Sequence, residues 1–115
     1  VNAGHNYPIL SKGEEVSRLS EGCILLGILP DVQPSETTTL FDKGNILLLF
    51  TDGVVEQTNK REDMFGSERI VALVKEFQDL SSQNIVSLLL KGLSEFSEEV
   101  EAGDDTTIMS VKFSE

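Results

Sequence analysis

Residues 46–50 read Ile-Leu-Leu-Leu-Phe and run without a break into Thr51, Asp52 and Gly53. No other stretch restricts the fold as much. An apolar run of this length, bounded by turn formers, is a buried strand, because its backbone groups are paired only when neighbouring strands flank it. Asp52 then stands just beyond the end of a core strand. Two readings of it are open. Asp-Gly is a common tight-turn dipeptide and needs no chemistry. Alternatively, the rigid strand holds a carboxylate in place for a cation.

The surrounding segments predict one α+β unit. "NAGHNYPIL" and "EEVSRL" flank Ser11, Lys12 and Gly13 and form a hairpin, with Pro8 at an edge or an end. "CILLGIL" is a short strand or an apolar loop lining a core, followed by a surface loop at Pro30, Asp31, Gln33 and Pro34. "TTTLF" meets "ILLLF" across Asp42–Asn45 as a central hairpin, with Gly44 left-handed in its turn. Ser67 caps a helix carrying Ile70, Val71, Val74 and Phe77. A second helix starts near Ser81 or Ser82 with Ile85, Leu88, Leu89, Leu93 and Phe96 on one face. Its tail, Glu95, Glu98, Glu99 and Glu101, opposes the helix dipole, so the end frays. A last strand places Thr107, Met109, Val111 and Phe113 on one side at period two, as a half-buried strand does.

Composition narrows the partners. The 115 residues suffice for one core and are too few for two. Nine basic against twenty acidic residues, a net charge of −11, repel nucleic acid and anionic lipid, so neither is expected as a partner. No apolar run spans a membrane and no basic lead segment marks a signal peptide, so a soluble, cytoplasmic chain is expected. The single cysteine, Cys23, reads as a packed thiol in a reducing compartment. The start on Val1 reads as a cut from something longer.

Asp104 and Asp105 precede the last strand, as Asp52 follows the apolar one. If those strands are antiparallel neighbours, the carboxylates converge on one sheet edge. Crowded carboxylates repel one another unless a cation is present, and a hard divalent metal prefers such oxygen donors. Gly53 would let backbone and solvent approach the ion. The competing reading is an exposed turn after Gly103. His5 is the only histidine, which leaves no His-based zinc site, and it reads more readily as a turn or core residue than as a site residue. No hydrolytic triad, phosphate loop or dinucleotide fingerprint is present, and no EF-hand spacing supports a calcium-responsive domain.

Five segments in order, "NAGHNYPIL", "LLGILPD", "GNILLLFTDGVVEQTN", "FGSERI" and "DDTTIMSVKF", together resemble the PPM-type, metal-dependent serine/threonine protein phosphatases, closest to the bacterial SpoIIE and RsbU branch. The resemblance covers Val1 to Phe113. It implies the C-terminal part of an α/β/β/α sandwich of two antiparallel sheets flanked by helices, with a two-metal Mn2+ or Mg2+ centre. On it, Asp52 and Asp104 match ligands of one ion. Gly53 and Asp105 support them, and Asn2, Gly4, His5 and Glu56 lie near the site without an assigned role. The implied reaction is hydrolysis of phosphoserine or phosphothreonine in a regulatory protein, an anti-sigma-factor antagonist in that branch, by a metal-activated water.

Nothing in the chain matches the family's N-terminal half with its "GDxxGHG"-like segment, so residues 1–115 are expected to be the C-terminal segment of the domain and inactive alone. Two carboxylates hold a largely hydrated ion weakly. A non-catalytic interaction domain on a phosphatase-like scaffold is the alternative. Uncovered sheet edges and core faces predict a homodimer or self-association.

Overall fold

The computed structural model describes residues 1–114. The apolar run is β3 (Ile46–Phe50), interior to a four-stranded antiparallel sheet, between β1 (Ile9–Lys12) and β4 (Ile108–Lys112), with β2 (Glu15–Arg18) beyond β1. Registers Ile9↔Leu48 and Leu48↔Ser110 fix its two neighbours. Ile46, Leu48 and Phe50 alternate into the core. They pack under α2 (Gly66–Glu76) and α3 (Ser82–Ser97) through Ile70, Val74, Ile85 and Leu89. Leu48 and Leu89 are sealed from solvent, and burial of each contributes about 2 kcal/mol. One sheet and one helix layer result, in the α+β class. No helix among the described residues is long and apolar enough to cross a membrane.

The β1–β2 hairpin forms as expected, with Gly13 left-handed in its turn and Pro8 at the strand's end. Helix α3 starts as read: the Ser81 hydroxyl accepts from the Asn84 N–H. It stops at Ser97, and Glu98 and Glu99 follow with φ of 51° and 71°, so most of the acidic tail lies outside the helix. Gly92 faces the partner helix, where an added Cβ would come 3.4 Å from Leu73.

Four expectations are corrected. The central hairpin does not exist: Gly44 is left-handed and Asn45 closes a turn on Asp42, but residues 37–41 form no strand. Both edges of β3 are already taken by β1 and β4. Ser67 is not a cap, because α2 begins one residue earlier and has no side-chain cap. Residues 24–29 are a loop, and Ile24, Leu25, Leu26, Ile28 and Leu29 are exposed instead of lining a core. Finally, β4 shows its other side to the helices. Ile108 packs on the core, and Lys112 donates from Nζ to the carbonyls of Gln78 (2.7 Å) and Leu80 (2.9 Å) between α2 and α3. Met109, Val111 and Phe113 therefore lie on the sheet's far side and are exposed.

That far side is only partly covered. Phe41 stacks at a tilt on Phe113, with ring centres 6.4 Å apart. Lys12 reaches Thr39 at 3.4 Å. At the opposite edge of the sheet, Arg18 on β2 donates to Glu68 on α2 at 2.6 Å, and this bond holds the Glu68 carboxyl below its ordinary value.

Candidate metal centre

The residue after β3 starts the site. Thr51 is extended (φ −84°, ψ 165°) and precedes α1 (Asp52–Val55), yet its hydroxyl does not cap that turn. Instead Oγ1 donates to the Asp105 carbonyl at 3.1 Å and accepts from the Thr107 N–H at 3.0 Å. The Thr51 N–H also donates to the Thr107 carbonyl. Three hydrogen bonds thus lace the segment carrying Asp52 to the one carrying Asp104 and Asp105. Antiparallel pairing of Phe50 with Ile108 brings the two to one sheet edge.

Gly53 makes the approach possible. A Cβ at this position would stand 2.4 Å from the Asp105 carbonyl oxygen and 3.2 Å from that of Asp104, closer than side-chain carbons come to backbone atoms. The glycine therefore admits the Asp104–Asp105 backbone. It is buried, whereas Asp52, Asp104 and Asp105 are exposed.

Asp52 and Asp104 each have one oxygen tied locally. Asp52 Oδ1 accepts from the Gly53 N–H at 3.1 Å, and Asp104 Oδ1 accepts from the Asp105 N–H at 2.7 Å. Asp104 lines a cleft of about 220 Å³ with Gly53, Glu56, Gln57 and Gly103; Asp52 is not part of that lining. Gln57, buried, donates from Nε2 to the Val100 carbonyl at 3.3 Å and ties the acidic loop to the segment after α1.

The remaining residues separate into two groups. Glu56 joins Asp104 in the cleft. His5 lies by a cavity of about 140 Å³ with Leu49, Phe50, Thr51, Thr107 and Met109, so it neighbours the lacing and not the acids. Asn2 and Gly4 organise the turn before it: Asn2 Oδ1 accepts from the His5 N–H at 2.8 Å, and Gly4 (φ 85°) leaves room for Leu25. Thr51, Thr107 and Gln57 were not read from sequence as site residues. The threonines flanking both acidic motifs, one before "DG" and two after "DD", are the signal that could have found them.

Donor chemistry and donor number give different answers about a metal. Carboxylate oxygens are the donors that Mn2+ and Mg2+ prefer. Among the described residues, however, no three His, Cys, Asp or Glu side chains gather into a set that could hold an ion. The acids fit as part of a coordination shell.

The model of the family described as stage II sporulation protein E (SpoIIE) matches residues 1–114. Among solved structures, the chain is similar to the SiaA PP2C domain of Pseudomonas aeruginosa, at 25% identity and TM-score 0.79, over 95% of this chain and 44% of that one. It is also similar to the PP2C phosphatase domain of SpoIIE from Bacillus subtilis solved with a fragment of its regulatory domain, at 19% identity and TM-score 0.73, over 97% of this chain and 32% of that one. The manganese-presoaked phosphatase domain of the same protein matches at 16% and 0.65, over 97% and 48%. The chain spans less than half the length of each of these. No curated protein matches it.

Proposed function

The chain belongs to the SpoIIE family and has the PP2C phosphatase fold, and on that premise we propose that it is the C-terminal segment of a cytoplasmic protein phosphatase domain. The reaction is hydrolysis of phosphoserine or phosphothreonine in a regulatory protein, with an anti-sigma-factor antagonist as substrate. Asp52 and Asp104 are the residues that would each supply a carboxylate oxygen to an Mn2+ or Mg2+ ion of a two-metal centre. Gly53 and Asp105 hold the two segments together, and Glu56 completes the acidic rim of the cleft. When bound, such ions supply an acidified water and neutralise charge on a transferring phosphoryl group. The residues themselves provide fixed oxygens on a rigid edge: Thr51 keeps the two acidic segments in register, so little ordering is left for the ion to impose.

The observation that carries this reading is the missing Cβ of Gly53, because an ordinary turn has no need for backbone carbonyls within 2.4 Å and 3.2 Å of that position. Two carboxylates are too few for tight binding, so residues 1–115 alone bind manganese weakly and turn over little or no substrate. Calorimetric titration of Mn2+ into the chain and into an Asp52→Ala, Asp104→Ala variant tests this. A weak heat lost in the variant supports the site; equal heats in both sink it.

A non-catalytic interaction domain is the second reading, favoured by the exposed apolar loop at Ile24–Leu29. It predicts that Mn2+ binding is absent while partner binding depends on that loop. The open far face of the sheet also supports self-association of these 115 residues. A single monomeric species by ultracentrifugation at high concentration would rule that out.

A further inference from the structure

Past the cleft the chain builds a loop over residues 57–65 that is closed by its own hydrogen bonds. Thr58 pairs with Met64, and the Phe65 N–H donates to the Gln57 carbonyl at 2.8 Å. Inside, the buried Asn59 accepts at Oδ1 from the N–H groups of Arg61 (2.9 Å) and Asp63 (3.0 Å). Its Nδ2 donates to Asp63 Oδ2 at 3.1 Å. Glu62 takes a left-handed φ of 64° to close the turn.

What this loop presents is Lys60 and Arg61, the only two cations adjacent in the sequence. Lys60 has no hydrogen-bond or ionic partner among the described residues. The Arg61 side chain is 81% exposed, and its Nε is oriented by Asp63 at 3.5 Å, leaving the outer guanidinium nitrogens facing water. The loop starts at Gln57, which lines the cleft with Asp104. Lys60 and Arg61 follow Gln57 by three and four residues, so the chain sets them at most about 11 and 14 Å from that cleft residue.

Charge explains why that placement matters. The cleft is rimmed by Asp104 and Glu56, with Asp52 and Asp105 beside it, in a chain of net charge −11. A phosphorylated protein arriving with further acids next to its phosphoserine meets a field of one sign, which exposed cations a short way along the chain from the cleft offset.

We infer that Lys60 and Arg61 are a specificity element that receives acidic side chains a few residues from the phosphoserine of the protein substrate. An extended peptide advances about 3.3 Å per residue, which sets that spacing at roughly two to four positions. The inference rests on the phosphatase reading above and adds to it the chemical class of the substrate's flanks.

The test uses the full-length protein with manganese and two phosphoserine peptides, one flanked by aspartates and one by lysines. The readout is the ratio of their KM values in each protein. In the unaltered protein the aspartate peptide has the lower KM. In the Lys60→Ala, Arg61→Ala variant the ratio shifts toward the lysine peptide by about tenfold, as loss of two exposed charge pairs implies, and this shift fades at high salt. The Lys60→Glu, Arg61→Glu variant reverses the preference. Equal ratios in all three proteins overturn the inference while leaving the phosphatase reading in place. No turnover of either peptide by the unaltered protein overturns both.

Discussion

Gly53→Ala separates a turn glycine from one that admits a neighbouring backbone. In the short α1 turn, alanine is the better helix former by up to about 1 kcal/mol, so local propensity predicts a stabilised protein. The surroundings predict the reverse. A Cβ at 2.4 Å from the Asp105 carbonyl oxygen must push that backbone by about 1 Å to reach ordinary 3.4 Å contact. The obstacle is main chain, which cannot swing aside as a side chain would. Overpacking of this kind costs about 1–3 kcal/mol. The same displacement breaks the Thr51 Oγ1 bond to Asp105, now 3.1 Å, for roughly 1 kcal/mol more. After the helix gain is subtracted, about 2 kcal/mol of destabilisation remains, equivalent to a fall in Tm of about 8 °C for a chain of this size. Thermal unfolding followed by circular dichroism measures it, with Gly103→Ala as the control. An added Cβ at Gly103 meets nothing within 4 Å, so that variant stays within about 0.5 kcal/mol of the parent. If Gly53→Ala melts at or above the unaltered protein, Gly53 is a turn residue only and the close approach plays no part in holding the acids.

Three further outcomes follow from contacts elsewhere. Thr51→Val keeps the shape but loses two of the three lacing bonds, so it destabilises by about 1 kcal/mol in urea unfolding and reduces the manganese heat; an unchanged midpoint would show that the lacing is idle. Lys112→Met removes both bonds to the α2–α3 connection and costs about 1–2 kcal/mol, with hydrogen exchange accelerated at the start of α3 and unchanged in β1. Glu68, held below its ordinary value of 4.5 by its hydrogen bond to Arg18, favours the fold when ionised. That contribution is present above pH 4.5 and is lost as the pH falls through the lower folded value, so Glu68→Gln flattens the acid limb of a stability–pH profile; an unaltered limb would place the sensitivity elsewhere.

The sequence was most legible where local chemistry and tertiary packing agree. The β1–β2 turn, the Ser81 cap and the apolar alternation of β3 each declare themselves within a few residues. The central hairpin misled because its turn is real: Gly44 and Asn45 behave as turn residues, but both edges of β3 belong to other strands, one of them β4, which starts 62 residues further on in the chain. No local signal carries that competition. In β4, period two was visible, but the side that faces inward carries Ile108 and the Lys112 ammonium, which reaches two carbonyls of the α2–α3 connection, and three apolar side chains are left on an open face. At the site, the acid types were legible in "TDG" and "DDTT". The hydroxyl that joins them was not, because its partner, the Asp105 carbonyl, lies 54 residues away in the chain.

That separation sets an order of events during folding. The hairpin of β1 and β2 closes across two residues, whereas the Thr51 bond to Asp105 closes a loop of 54 and needs α2 and α3 already gathered between its ends. Loop-closure entropy therefore predicts that the acidic edge is assembled after the hairpin and on the native side of the transition state. A cation drawing Asp52 and Asp104 together acts as a brake on unfolding and leaves the folding rate nearly untouched, so manganese should lower the unfolding limb of a chevron plot and not lift the folding limb.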